Sequence, residues 1–208
     1  MPVITIKNLN KKYGEKVLFD NYNLEIPDKS FVIINGESGR GKTTLLNMIG
    51  GLEKPDSGEI CIDGTELTSL KNKKDFYKET VGFLFQNFAL LENKTVRQNL
   101  SMIKKDTRTD CTIEQAIRRV GLEKELDKKV YKLSGGEQQR VALARLMVKK
   151  CSVILADEPT GSLDEKNAKT VIQILRELNE MGKTVIIVTH SQKLVDSEDF
   201  VVKLKSNN

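Results

Sequence analysis

A glycine-rich segment, Gly36-Glu37-Ser38-Gly39-Arg40-Gly41-Lys42-Thr43-Thr44, has the residue types and spacing of a phosphate-binding loop. Its glycines let backbone N–H groups converge on a phosphate at the positive end of a following helix. We expect Lys42 to neutralise the β- and γ-phosphates of a nucleotide and the Thr43 hydroxyl to ligate Mg²⁺. The other predicted nucleotide contacts are Gly36, Ser38, Gly39, Gly41 and Thr44. A turn without a ligand is the alternative, but an apolar strand pattern precedes the loop and a helical pattern follows it.

Two acidic residues follow the apolar run Val153 to Ala156. A buried strand would deliver Asp157 and Glu158 to the carboxyl edge of a sheet, beside the glycine loop. We expect Asp157 to serve the Mg²⁺ water shell. Glu158, one residue further and pointing another way, is predicted to accept a proton from an attacking water as general base. The alternative, two acids that cap the next helix, is disfavoured because Pro159 follows at once.

His190 is the single histidine of the chain and follows the apolar run Val185 to Val188 and Thr189. In a parallel sheet this position lies at the same edge as Lys42 and Asp157. A lone histidine is more often an ordinary surface or core residue. Its place after a buried strand instead favours contact with the γ-phosphate and orientation of the catalytic water.

The elements that position these residues form an α/β pattern. Continuous apolar runs, such as Val153 to Ala156, are expected for strands of a parallel sheet covered by helices on both faces. Strand patterns also occupy the first 35 residues and Val81 to Phe85. Between about Phe88 and Lys132 the spacing becomes helical, which predicts a separate helical subdomain. A further helix carries an apolar stripe and ends near Gly182; the stripe consists of Ala168, Val171, Ile172, Leu175 and Leu178.

Composition narrows the class of protein. Of the 208 residues, 38% are apolar and 30% are charged, as in soluble globular proteins and unlike disordered or fibrous ones. The longest apolar runs fall far short of the ~18 residues of a spanning helix, so we expect no unaided membrane crossing. Cys61, Cys111 and Cys151 lack any C-x-x-C pairing, which favours reduced cysteines in a cytosolic protein. The net charge of +5 would suit binding to nucleic acid or to an anionic membrane. The lysines are scattered along the chain, however, which favours an ordinary solvated surface.

The octet Leu133-Ser134-Gly135-Gly136-Glu137-Gln138-Gln139-Arg140 stands about ninety residues after the glycine loop. With it, the chain resembles the nucleotide-binding domain of ABC transporter ATPases over nearly its whole length. The resemblance implies an α/β P-loop NTPase with a mostly parallel sheet core, an antiparallel β subdomain and an inserted α-helical subdomain. It implies one domain, 1–208, with core segments 1–86 and 133–208 and a helical subdomain at about 87–132.

The resemblance also assigns roles to residues. Tyr13 matches the aromatic residue that stacks on adenine, and Asp164 matches the aspartate of the D-loop, Gly161-Ser162-Leu163-Asp164. Gln86 matches the glutamine that joins Mg²⁺ and water to the transmembrane partner, and His190 matches the switch histidine. Two positions depart from the usual pattern: Arg40 replaces a small polar residue, and Ser191 stands where an acid is frequent.

The octet has a physical interpretation of its own. Ser134 and two glycines open a helix, so its hydroxyl and free N–H groups form a second phosphate-binding end. We therefore expect Ser134, Gly135 and Gly136 to contact a nucleotide held by the Lys42 loop of a second copy. Two subunits would sandwich two ATP molecules head to tail, and an isolated subunit would hydrolyse ATP poorly.

Within the family, residues 45–58 and 156–164 are most similar to ATPases of lipoprotein release and of macrolide or peptide export, with the nearest likeness to lactococcin-type bacteriocin export. This implies an ATPase on the cytoplasmic face of the membrane that powers export by a separate permease subunit, with no nucleic acid partner. A soluble ABC ATPase acting on DNA or the ribosome and a non-catalytic dimerising scaffold are the alternatives. The segment Asn87 to Asn99, with Phe88, Leu90 and Leu91, is predicted to dock a permease helix unless those side chains are core.

Overall fold

A computed structural model describes residues 2–161, 163–198 and 200–204. Ser162 and residues 205–208, which belong to the predicted D-loop and core segment, lie outside the described residues. The strands are β1 (Pro2–Tyr13), β2 (Lys16–Pro27), β3 (Phe31–Asn35), β4 (Ser57–Ile62), β5 (Thr65–Glu66), β6 (Val81–Leu84), β7 (Val153–Asp157), β8 (Thr184–Thr189) and β9 (Val201–Lys203). The α-helices are α1 (Lys42–Ile49), α2 (Val96–Ser101), α3 (Ile113–Arg119), α4 (Gly135–Val148), α5 (Glu165–Glu180) and α6 (Gln192–Val195).

A parallel sheet forms the centre of the fold, with strand order β6-β7-β8-β3-β9. All six residues of β8 are buried, as is every residue of β7 before Asp157. Helices cover both faces, which explains the continuous apolar runs in these strands. Because β3, β7 and β8 run parallel as neighbours, the residues that follow them meet at one edge of the sheet.

A second sheet, antiparallel with order β2-β1-β4-β5, packs through α1 onto the parallel sheet. Its inward side chains include Ile4, Ile6 and Ile60, which belong to the same apolar cluster as Leu45 and Leu46 of α1. The predicted architecture of a parallel core sheet with an antiparallel β layer and helices is therefore confirmed.

The region between β6 and β7 contains α2, α3 and α4, with short 3₁₀ turns at 105–107, 123–125 and 130–132. Each of these three α-helices begins with a capping box. The pairs are Thr95 with Gln98, Thr112 with Gln115 and Ser134 with Glu137. The apolar residues Ile113, Ala116 and Ile117 of α3 are buried in one cluster with those of α4, and Gly121 after the helix has a left-handed φ of 69°. The boundaries of the helical subdomain at 87 and 132 stay a prediction.

Two strand ends differ slightly from the expectation. β6 ends at Leu84 instead of Phe85, and β7 extends one residue further to include Asp157. Among the described residues, no helix combines the length and the apolar character needed to cross a bilayer.

Candidate functional site

The glycine loop connects β3 to α1, as the sequence predicts. Gly39 and Gly41 have left-handed φ values of 77° and 83°, and a Cβ on Gly41 would lie 3.0 Å from the Phe19 ring. Lys42 is 8% exposed, and its Nζ donates to the carbonyls of Gly36 at 2.7 Å and Glu37 at 3.0 Å. The ammonium group is thus enclosed by the loop, at the N-terminal end of α1.

Arg40, the unusual residue of this loop, forms an ion pair within it. Its guanidinium donates to Oε2 of Glu37 at 2.7 and 3.2 Å. Both residues line an open depression of about 610 Å³, whose wall also includes Gly36, His190 and Lys203. The guanidinium of Arg40 is therefore a second positive charge on the glycine loop, in addition to Lys42. The glycines of the loop are unchanged.

Thr43 and Asp157 meet where α1 begins and β7 ends. The Thr43 hydroxyl donates to Oδ1 of Asp157 at 3.2 Å. Burial raises the pKa of Asp157, the Thr43 hydrogen bond opposes this shift, and the neighbouring charge of Glu158 adds to it. Hydroxyl and carboxylate oxygens are ligands that Mg²⁺ prefers, and a cation here would compensate a half-buried carboxylate, so the residues fit this metal.

Gln86, the third predicted metal residue, follows β6 at the same edge of the sheet and is exposed. Strand β6 is the neighbour of β7, so Gln86 lies beyond the strand end next to Asp157. Within the described residues it forms no hydrogen bond with Thr43 or Asp157. Its predicted role stays a prediction.

Glu158 is held by three contacts to β8 and the residue after it. Its backbone N–H donates to the carbonyl of Val188 at 2.9 Å, and Oε2 accepts from Thr189 Oγ1 at 3.1 Å. His190 Nδ1 lies 2.8 Å from Oε1. The residue has a left-handed φ of 45°, which costs a non-glycine residue about 1 to 3 kcal/mol. The structure thus brings the predicted base and the predicted histidine into direct contact.

His190 extends beyond the end of β8 with its side chain 71% exposed. A carboxylate accepts hydrogen bonds, so Nδ1 of His190 carries the proton in this pair. That arrangement leaves Nε2 outside the bond to Glu158, and His190 lines the depression beside Gly36 and Arg40. Buried Thr189, which the sequence analysis did not select, holds the other oxygen of Glu158.

Tyr13 lies at the end of β1, next to the first turn of α1. Its ring is half exposed, and its hydroxyl donates to Oε1 of Glu53. This bond raises the pKa of Tyr13, and a hydrogen bond with the Thr44 side chain opposes the shift. Lys11 pairs with Glu53 at 2.9 Å and lies 5.1 Å from the Tyr13 ring centroid. The predicted adenine-stacking residue is therefore beside the glycine loop, and Glu53 and Lys11 orient it.

Ser134 is the N-cap of α4, at an exposed helix end. Its Oγ accepts from the Glu137 N–H at 3.3 Å, and Glu137 Oε2 accepts from the Ser134 N–H at 2.7 Å. These bonds from Ser134 lower the pKa of Glu137. The body of α4 packs on α2, α3, α5 and β6, and Gly135 at its start is exposed. This end is accessible from outside the subunit.

Asp164 is the N-cap of α5 and is exposed. Its Oδ1 accepts from the Asn167 N–H at 2.9 Å and its Oδ2 from Asn167 Nδ2 at 2.5 Å. These bonds lower the pKa of Asp164. Its carboxylate is therefore engaged within the chain, and its predicted contact to a nucleotide stays a prediction.

The segment after Gln86 borders a groove of about 540 Å³. Phe88 and Leu90 pack partly against the core, whereas Leu91 is 48% exposed and lines the groove. Arg145 of α4 fixes this segment by donating to the carbonyls of Ala89 at 2.6 Å and Phe88 at 3.1 Å. The alternative of full burial is wrong for these side chains. The groove is lined by Tyr77, Phe83, Phe85, Leu91, Met102 and Ile103, with Lys74, Lys78 and Lys104 among its polar residues.

Comparisons with known proteins identify a family that this chain matches. A family model described as ABC transporter matches residues 19–161. The macrolide export ATP-binding/permease protein MacB of Campylobacter jejuni subsp. jejuni serotype O:2 is 39% identical over 210 residues, which cover 98% of this chain and 33% of that protein. The chain thus spans about a third of the length of the first curated relatives that it matches.

Other matches extend over nearly the whole length of both proteins. The uncharacterized ABC transporter ATP-binding protein MJ1508 of Methanocaldococcus jannaschii is 37% identical over 214 residues, covering 98% of this chain and 96% of that one. Among solved structures, the ATP-binding cassette MJ0796 is a dimer in a post-hydrolysis state bound to ADP and Pi. It matches with a TM-score of 0.84 at 35% identity, covering 97% of this chain and 94% of the other.

Proposed function

The chain belongs to the ABC transporter family, and from that premise we propose that it binds and hydrolyses ATP as one half of a head-to-tail dimer that powers transport by a membrane permease. The observation that carries the proposal is the contact of Glu158 with Thr189 and His190 at the sheet edge where the Lys42 loop also lies. That edge combines a phosphate cradle, a base and a group that orients the base.

The chemistry follows from this arrangement. A water oxygen attacks the γ-phosphorus while the bond from the γ-phosphorus to the β,γ-bridging oxygen breaks, which gives ADP and phosphate. Glu158 takes the proton of the attacking water, and each of its oxygens keeps a lone pair beyond the bonds to Thr189 and His190. Lys42 and the loop N–H groups stabilise the charge on the phosphates. His190, through Nε2, would contact the γ-phosphate and fix the direction from which water arrives.

Thr43 and Asp157 would hold Mg²⁺, with Gln86 as a third ligand. When bound, the ion neutralises negative charge on the β- and γ-phosphates. Tyr13 would stack on adenine, and the amides of Gly36, Ser38, Gly39, Gly41 and Thr44 would complete the phosphate cradle.

Two features support the dimer. The Ser134 end of α4 is exposed, with Gly135 and Gly136 beside it, so it can bind a phosphate that another subunit presents. The solved relative MJ0796 is a dimer bound to ADP and Pi. Asp164 would lie at the same interface.

The groove beside Leu91 supports a permease partner. Its lining combines apolar side chains with the amino groups of Lys74, Lys78 and Lys104. Such a lining favours an amphipathic helix with acidic residues at its margin as the partner. A permease with such a cytoplasmic helix would hold the ATPase at the cytoplasmic face of the membrane. The relatives named for macrolide export support export as the process, with a peptide, bacteriocin, lipoprotein or drug as the substrate.

The substitution Glu158→Gln tests the function. It keeps the side-chain shape but removes the proton acceptor, so we expect ATP binding and ATP-dependent dimerisation to persist while hydrolysis slows about 10²- to 10⁴-fold. Phosphate release at saturating ATP is the measurement, and Glu25→Gln on exposed β2 is the matched control. Hydrolysis by Glu158→Gln at the rate of the unaltered protein would contradict the base assignment. No hydrolysis by the unaltered dimer would favour the scaffold alternative.

A further inference from the structure

The start of α4 is tied to the loop that carries Glu158 by side chains outside the predicted nucleotide contacts. Gln139, 3% exposed, donates from Nε2 to the carbonyl of Pro159, the residue after Glu158. Arg140, the next residue, donates to Oδ1 of Asn167 at 2.6 Å. We call Gln139, Arg140 and Asn167 the α4–α5 clamp.

Asn167 joins the first turn of α4 to the first turn of α5. Its backbone N–H and Nδ2 donate to the two carboxylate oxygens of Asp164. Gly136 lies against the same amide, because a Cβ added there would be 3.2 Å from Asn167 Cγ. The start of α4 therefore lies against Asn167 in the first turn of α5, through both Gly136 and Arg140, and Asn167 in turn holds Asp164.

The segment from Glu158 to Asp164 is short and fixed at both ends. Glu158 is hydrogen-bonded to Val188, and Gly161 N–H donates to the Glu158 carbonyl at 3.2 Å. Asp164 begins α5. A displacement at the start of α4 thus reaches Pro159 through one hydrogen bond, and Glu158 lies one peptide bond further.

We propose that Gln139 and Arg140 are positioning residues that couple the two ATP sites of the dimer, by transmitting contact of Ser134 with one γ-phosphate to the position of Glu158 in the other site. This inference rests on the proposed function, in which Ser134 serves the nucleotide of the second copy and Glu158 serves the nucleotide of its own subunit. The α4–α5 clamp connects the helix that begins after Ser134 with the segment that follows Glu158. The coupling is reciprocal, because each subunit contributes one clamp.

The variant Gln139→Met tests the clamp, because it removes the donor to Pro159 at similar volume. We expect kcat to fall about tenfold, the size of one lost buried hydrogen bond. The Hill coefficient for ATP should fall towards one. Affinity of the isolated subunit for ATP should stay within about twofold, since the Lys42 loop and Tyr13 are unaltered. Arg140→Met should act in the same direction, and Arg140→Lys, which keeps one donor, should retain more of the rate.

Two controls separate positioning from stability. Asn179→Ala removes hydrogen bonds to Lys29 and Lys183 at the far end of α5 and should lower Tm without changing the Hill coefficient. In a Glu158→Gln background, Gln139→Met should change the residual rate by less than about twofold, because the group it positions is no longer a base.

Three results would overturn the coupling. They are an unaltered kcat and Hill coefficient in Gln139→Met, an equal tenfold fall of the residual rate in the Glu158→Gln background, or a fall of kcat and Hill coefficient in Asn179→Ala as large as in Gln139→Met. A wild-type chain that neither dimerises on ATP nor hydrolyses it would overturn the proposed function, and the clamp with it. The two failures are therefore distinguishable, because one appears in the variants and the other in the unaltered protein.

Discussion

Individual side chains at the sheet edge fix the carboxylate of Glu158, the proposed general base. Glu158 adopts a left-handed backbone conformation, yet its main chain and both carboxylate oxygens are hydrogen-bonded. Contacts from Val188, Thr189 and His190 hold a conformation that the isolated residue would avoid. Contacts within the subunit therefore fix the position of this side chain.

At Tyr13, stacking and hydrogen bonding can be separated. Tyr13→Ala removes the ring, and we expect ATP affinity to weaken by roughly 1 to 3 kcal/mol, as for other base-stacking residues. Tyr13→Phe keeps the ring but loses the bond to Glu53, so its affinity should stay close to wild type. Titration of the monomeric protein with a fluorescent ATP analogue would measure both. Unchanged affinity of Tyr13→Ala would refute stacking.

The negative charge that Asp157 would use to hold Mg²⁺ lowers the stability of the folded protein. Burial raises its pKa, so the ionised form is disfavoured in the folded protein and costs stability at neutral pH; this cost is lost as pH falls through the raised pKa. Asp157→Asn should therefore stabilise the nucleotide-free protein at pH 7 by on the order of 1 kcal/mol, or about 2 to 4 °C in Tm. The gain should shrink as the pH is lowered.

Thermal unfolding at a series of pH values would check this, with Asp20→Asn on exposed β2 as the control. A lower Tm for Asp157→Asn at pH 7, or a gain independent of pH, would contradict the assignment of the cost to the buried charge.

At the scale of elements, apolar pattern was enough to predict the buried strands. The runs Val153 to Ala156 and Val185 to Val188 could only be buried on both faces, and the glycine loop required a strand before it and a helix after it. The contacts between Gln139 and Pro159, or between Thr189 and Glu158, join positions 20 or 31 residues apart. Such pairs depend on how α4 and β8 pack against β7, which periodicity in a single sequence does not encode.

The groove between α2, α4 and β6 allows a prediction at this scale. Met102→Glu places an acid among the apolar residues of the groove and should abolish co-purification with the proposed permease subunit. Met181→Glu, at a similarly exposed methionine after α5, is the control and should retain the permease. Both variants should still dimerise on ATP. Retention of the permease by Met102→Glu would exclude this groove as the docking site.

At the scale of the whole molecule, the proposed function gives one subunit two separate halves of a nucleotide site. The Lys42 loop lies at the edge of the parallel sheet, and the Ser134 end of α4 is exposed on the side of the helical elements. Each half leaves part of the phosphate charge without a partner until a second copy supplies the other. ATP hydrolysis should therefore require that two subunits associate.

Dilution tests this statement. We expect the rate of hydrolysis per subunit at saturating ATP to rise with protein concentration and to level off once dimers form. Below that level, the total rate should grow with the square of the concentration. Steady-state phosphate release over a dilution series, with sedimentation in parallel, would measure it. A constant rate per subunit at dilutions where only monomers sediment would contradict shared sites.

Helix α4 has a property that matters for inhibition. It begins at Ser134, its last turns contribute Arg145 and Leu146 to the groove, and its 14 residues span about 21 Å. It is pressed so closely onto β6 that a Cβ on Gly82 would lie 2.7 Å from the Leu146 side chain. Because of this close packing, a displacement of α4 at the groove should also displace its Ser134 end. A small molecule wedged into the groove should therefore slow turnover without competing with the nucleotide, and excess ATP should not relieve it.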